Sequence, residues 1–416
     1  MNKKISLGTA ISIAAVTAVF AVVITYTAAI SIFDSRMNSV TERQNMYQIL
    51  SEIDITVRQN YYGEISENYL QRNISQGYID GLSDQYSRYL SADEYQLAVN
   101  ENLGYTFGLG MDISKATDGN ILVNIVYEGS PAGKAGIVTG DLIVTVSGKD
   151  VLSVGYDKAV ELISQASPKV SVVISRSGEK IAYELTKSKF ETKSVARRMV
   201  NSSVGIITIY EFNAKTPAQF NAALTYLRNS DAKGIIIDLR DNSSTNYEYA
   251  CDILDTLLPA GAIMSVTDKN GKVIQKYTSD AKYIDLPMQV LINEKTEGAA
   301  ELFAAVMMNY QKAETVGTTT AGHDTVQKMF QLSNGDALQL TVGKWSESLS
   351  EFVKDGAVVP QFEVILTAYQ QSNRYLLADE EDPQLQTALD RISLEIEVES
   401  EDTDEDEQAV DSTASV

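Results

Sequence analysis

Residues 293–327 read NEKTEGAAELFAAVMMNYQKAETVGTTTAGHDTVQ, and the rest of the chain is organised around them. Just before them, Gln289-Val290-Leu291-Ile292 predicts the end of a buried strand. A short polar turn follows, then an apolar helix from about Gly298 to Tyr310 and a short strand around Thr315-Val316. A Gly- and Thr-rich loop then carries the only histidine, His323. Hydrolases place a nucleophile at such a strand–turn–helix corner, because the first N–H groups of a helix lack internal partners and can face a developing oxyanion. This helix start offers neither Ser nor Cys.

Outward from that corner, strands and helices alternate. Val204 to Ile209 and Gly234 to Arg240 (GIIIDLR) predict strands, and Thr216-Pro217 is a helix start with Thr as cap. A second helix is predicted from about Asn246 to Leu258. Asn270-Gly271 and Asn334-Gly335 mark hairpins between strand-like runs. Such alternation predicts an α/β domain. Cys251 sits in the apolar pattern Ala250-Cys251-Asp252-Ile253-Leu254 and reads as core; a lone cysteine excludes an intramolecular disulfide and any cysteine-based zinc site.

From Tyr105 to Ser188 short strands and turns crowd together. Phe107-Gly108-Leu109-Gly110 opens the region, GSPAGKAGI follows from Gly129 to Ile137, and Gly140-Asp141-Leu142-Ile143 leads into a strand. A Gly-Leu-Gly turn leaves successive N–H groups unobstructed, a nest suited to a terminal carboxylate. The combination resembles a PDZ domain in circularly permuted form. The resemblance implies that protein C-termini bind at Phe107, Gly108, Leu109 and Gly110, adding as a strand at the sheet edge.

The 416 residues carry a net charge of −22, unevenly spread: Glu395 to Asp411 holds ten acidic residues and no basic one, leaving about −12 elsewhere. That segment reads as a solvated acidic tail, and the absence of a basic stripe excludes a nucleic-acid partner. At the other end, Lys3 and Lys4 precede an apolar run from Ile5 to Phe33, longer than the roughly 20 residues a bilayer requires. It predicts a single-pass transmembrane helix in the cell membrane, with everything after Asp34 extracytoplasmic. The alternative is a long signal peptide cut near Thr27-Ala28-Ala29. Between the run and the PDZ-like region, the apolar stripe Tyr47, Leu50, Ile53, Val57 predicts helix, with a loop at Gly81–Ser87.

Five segments result: an anchor (1–35), a helical segment (36–104), the PDZ-like module (105–190), the α/β domain (191–392) and the tail (393–416). From about Tyr47 to Ile392 the chain resembles the C-terminal processing (tail-specific) serine peptidases. The resemblance rests on GLSDQYSRYLSADEY, KGIIIDLRDN, Glu301 with its helix, Val316-Gly317, Val326-Gln327 and Gly335-Asp336-Ala337-Leu338-Gln339-Leu340. It implies a multidomain α/β (α+β) architecture with a crotonase-like peptidase domain, a Ser–Lys dyad, and no metal or cofactor. A buried neutral lysine would take the serine proton.

The dyad positions implied by the resemblance are Gly298 for the serine and His323 for the lysine, 25 residues on (323 − 298). Gln327 matches the glutamine that orients the lysine. Ser244 and Thr245 stand where the family has oxyanion-turn glycines, and Thr296, the nearest hydroxyl, comes two residues too early. Three readings follow: a pseudopeptidase that binds C-termini or regulates a partner, an active peptidase with a divergent site, and an assembly subunit of a paralogous peptidase, as homo- or hetero-oligomer. His323 itself reads as a solvated loop residue.

Overall fold

The computed structural model describes residues 7–345, 349 and 351–397, with few side chains before residue 40. Met1–Ser75 and Gln76–Val416 form two units. In the first, Leu7–Asn60 is one helix of 54 residues. Its Tyr47, Leu50, Ile53 and Val57 are all exposed, and Arg58 binds Asp54 and, bidentately, Glu67. Most side chains of the run Ile5–Phe33 lie outside the described residues, as does the tail from 398. Among the described residues no helix is long and apolar enough to cross a membrane.

The second unit is built on two sheets and the PDZ-like module. Its six-stranded sheet runs in the order Val195–Met199, Val204–Ile209, Gly234–Asp238, Met288–Ile292, Glu314–Gly317, Phe362–Glu363. The first pair is antiparallel and the others parallel. Strands buried on both faces need no alternation, which is why GIIID and MQVLI read as mostly apolar runs, each with one buried polar residue, Asp238 and Gln289. Period two still sorts the side chains. Ile235, Ile237, Val290 and Ile292 join one core with the helices Thr216–Asn229, Tyr247–Leu257 and Ala299–Asn309. Ile236, Leu291 and Val316 join another with Leu385, Ala388 and Ile392 of the helix at 383–397.

The second sheet contains both hairpins. Gly261–Thr267 pairs with Val273–Ser279 across Asn270-Gly271, and Thr325–Gln331 with Ala337–Lys344 across Asn334-Gly335. Arg88–Leu90, from the stretch read as helix and loop, completes it by pairing with Ala337–Gln339. Cys251 is buried in the main core.

In the PDZ-like module the strand order is Met111–Lys115, Ile121–Val126, Leu142–Val146, Lys169–Arg176, Glu179–Thr186. Met111–Lys115 is an edge strand, paired only with Ile121–Val126. The closing strand Ser188–Glu191 pairs with Tyr105–Gly108, whose last two residues are the first two of the nest.

Candidate functional site

The corner at the end of Met288–Ile292 forms as the sequence indicates, and the helix begins at Ala299. Gly298 caps it with φ 64° and ψ −112°, which a side-chain-bearing residue rarely adopts. The space beside it is taken. A Cβ on Gly298 would lie 2.6 Å from the Ser244 carbonyl oxygen and 3.4 Å from the Tyr247 hydroxyl. No serine fits this position without moving the Ser244 backbone.

The N–H groups that would face an oxyanion are also taken. Ala299 N–H donates to the Ser244 carbonyl at 2.7 Å, Glu297 N–H to the Asn242 carbonyl at 2.8 Å, and Gly298 N–H to Glu301 Oε2 at 2.8 Å. The turn holding Ser244 is itself fixed. Its hydroxyl accepts from Phe212 N–H and donates to Asn242 Oδ1, while Asn242 donates through Nδ2 to the Ile209 carbonyl. Ser244 therefore does more than replace a glycine: its own carbonyl occupies the acceptor position at the helix start.

Behind that turn, Asp241 accepts from Arg374, Tyr375 and Asn293, and Arg240 bridges Asp238 and Asp382. Burial opposes ionisation of Asp241, but the Arg374 charge and these hydrogen bonds outweigh it and hold the carboxyl at about 2.

Glu301 is fully buried and ties the helix start to the loop at 320–323. Its oxygens accept from Thr320 Oγ1, Gly322 N–H (2.7 Å), His323 N–H (2.8 Å) and Gly298 N–H. Burial pushes its carboxyl above the usual range, and the four donors work in the opposite direction.

His323 corrects an expectation. It is 1% exposed rather than solvated. Nδ1 lies 3.1 Å from Glu297 Oε1 and Nε2 lies 3.1 Å from Gln327 Oε1. Gln327 is aimed by donating to Thr325 and Thr341. Tyr86 stacks on the ring at 3.5 Å, nearly parallel. A neutral imidazole with one N–H can donate to only one of those two oxygens, whereas an imidazolium donates to both. Tyr86 came from the loop that carried no chemistry as sequence; burial and the neighbouring Glu297 push its hydroxyl up to about 12. The GLSDQYS stretch quoted for the resemblance was the available signal.

The other named positions fall around this group. The Thr296 hydroxyl accepts from Asn293 N–H and donates to the Leu239 carbonyl, so it is bound into the turn. Among the described residues no lysine is hydrogen-bonded to His323 or Gln327; Lys328, next to Gln327, lies over the Phe330 ring. Thr245 and Gln327 line a cavity of about 400 Å³ with Tyr247, Met264 and Tyr277; Gly298 and His323 do not line it. Among the described residues no cluster of three or more His, Cys, Asp or Glu side chains could hold a metal.

The candidate nest at Phe107–Gly110 is separate from this corner. Phe107 is exposed and Leu109 buried. The carbonyls of Leu109 and Gly110 accept from Ala132 and Tyr127, but neither residue's N–H is hydrogen-bonded among the described residues. Gly110, at φ 77°, passes so close to Ser130 that a Cβ would overlap its side chain.

Comparison with known proteins agrees with this architecture. Residues 203–364 match peptidase family S41, and residues 99–175 match the PDZ domain. The chain is 31% identical over 318 residues to the carboxy-terminal processing protease CtpA of Bacillus subtilis, covering 75% of this chain and 68% of that protein. It is 27% identical over 337 residues to a "Probable CtpA-like serine protease" of Staphylococcus aureus, covering 79% and 66%. A solved structure of a Bacteroides fragilis protein assigned to the S41 proteases superposes with a TM-score of 0.59 at 19% identity, covering 82% of this chain and 96% of that one.

Proposed function

As the chain belongs to the PDZ-containing C-terminal processing serine peptidases of family S41, we propose that it is a non-catalytic member that binds protein C-termini. The observation that carries this reading is the Ser244 carbonyl, which fills the nucleophile's side-chain space at Gly298 and accepts from Ala299 N–H. Covalent catalysis needs an attacking atom, a base and an oxyanion site together. Gly298 removes the first and His323, enclosed by Glu297, Gln327 and Tyr86, replaces the second. The third is satisfied from within. What stays open is the nest: among the described residues the N–H groups of Leu109 and Gly110 have no partner, and with the neighbouring edge strand they suit an extended peptide ending in a free carboxylate.

The same reading includes a membrane anchor. Its support is the sequence alone: the apolar run Ile5–Phe33 behind Lys3 and Lys4 would hold the protein at the cell membrane with its PDZ module outside the cytoplasm.

A serine-directed fluorophosphonate tests the non-catalytic reading. Incubated with the full chain in large excess, it is expected to leave the intact mass unchanged. A stoichiometric adduct on any Ser or Thr near Gln327, mapped by peptide mass spectrometry, would establish an active divergent site instead.

A further inference from the structure

A second cavity, of about 600 Å³, lies between the PDZ module and the α/β domain. Its floor includes Asp241, Asn293 and Thr318, which follow the carboxyl ends of three adjacent parallel strands, where open α/β sheets receive ligands. Its roof is Ser114, Lys115 and Asn124 of the PDZ module. Ser114 and Lys115 are the last residues of Met111–Lys115, the same edge strand that begins at the nest. Asp112, on that strand, is near enough to Asp241 and Lys295 to feel both charges.

Direction connects the two sites. A peptide held by its carboxylate at Phe107–Gly110 and paired antiparallel to Met111–Lys115 has its upstream residues leading toward Lys115. The strand is about 17 Å long at roughly 3.3 Å per residue, so about four or five peptide residues cover it. Anything further upstream passes Lys115 and enters the cavity.

The lining indicates what would be accepted. Asp241 is occupied by Arg374 and Tyr375, and Glu294 by Thr318 and Gln371. The lining carries three positive side chains, Lys115, Lys295 and Arg374, and three negative ones, Asp241, Glu294 and Glu363, so its charges balance. Hydrogen-bonding groups without net charge remain: the Asn124 amide nitrogen, Thr319 and Ser372.

We propose that this cavity is the upstream half of the PDZ site. A polypeptide anchored by its C-terminal carboxylate continues past Lys115, and uncharged polar residues roughly five to eight positions from its end are held between the two modules. The inference rests on the PDZ reading above and adds a length and composition requirement to it.

Fluorescence anisotropy on the full chain tests it, with a free-acid tetrapeptide ending in valine and a ten-residue peptide that extends it with Ser, Asn, Gln and Thr. The longer peptide is expected to bind about tenfold more tightly. Thr319→Trp, at an exposed wall position, is expected to remove that advantage and leave tetrapeptide affinity unchanged. Equal affinity for both lengths overturns the inference while leaving the PDZ reading intact, and so does an equal loss for both peptides in Thr319→Trp. Binding by neither free acid overturns the PDZ reading and this inference together.

Discussion

Two glycine turns that the sequence marks as candidate anion sites, Gly298 and Phe107–Gly110, have opposite fates. At Gly298 the helix start is closed: Ala299 donates to the Ser244 carbonyl, Gly298 to Glu301, and the space for a side chain is filled. At Phe107–Gly110 the turn is open, with the N–H groups of Leu109 and Gly110 unpaired among the described residues. Local backbone geometry is thus not sufficient to make a site. Whether the chain supplies its own acceptor decides between a binding nest and a structural cap.

The closed site should be the more costly to disturb. The largest expected effect is from Glu301→Gln, which turns one acceptor oxygen into a donor facing N–H or O–H groups. The loss should be about 4 kcal/mol in chemical denaturation, and a change below about 1 kcal/mol would show that the carboxylate does not hold the corner. Next is Gly298→Ser, which meets both the Ser244 backbone and a strained φ. It should cost about 3 kcal/mol and, even combined with His323→Lys, yield no peptidase activity. Cleavage by that double variant would mean the corner is closed only by sequence, not by packing.

Acid should loosen the closed site through Asp241. Its folded carboxyl lies at about 2, below its ordinary range near 4, so its contribution is complete above that range and fades as pH falls through about 2. Urea midpoints at pH 5 and pH 2.5 should therefore show the gap between the unsubstituted chain and Asp241→Asn narrowing, by up to about 2 kcal/mol in all. A gap that widens on acidification would contradict the assigned ion pair with Arg374. The smallest effect belongs to the open site. Amidation of a bound peptide's C-terminus should weaken binding about tenfold, read by anisotropy, because the nest loses a charged acceptor. Equal binding of acid and amide would place the ligand elsewhere.

Much of the fold was legible in the sequence. Alternating strands and helices, the two Asn-Gly hairpins and the buried Cys251 follow from local chemistry and appear where expected. The site was legible only as positions. That Gly298, His323, Gln327 and Ser244 belong together could be read from spacing and resemblance, but how they meet could not. His323 sits in a Gly- and Thr-rich loop that resembles a solvated one; its burial is due to Tyr86 and Glu297, brought in by tertiary packing. The closure by Ser244 is made by a backbone carbonyl, and every residue has one. No composition or motif reports which way that carbonyl points. Arg88–Leu90 joined a sheet for the same reason, its partner being at Ala337–Gln339.

Whether the corner is shut to catalysis is decided by a peptidase assay. The full chain is incubated with long peptides bearing free C-termini, and products are followed by mass spectrometry against a protein-free blank. No cleavage above that blank is expected. Turnover that depends on the chain and is abolished by Gln327→Ala would contradict that closure.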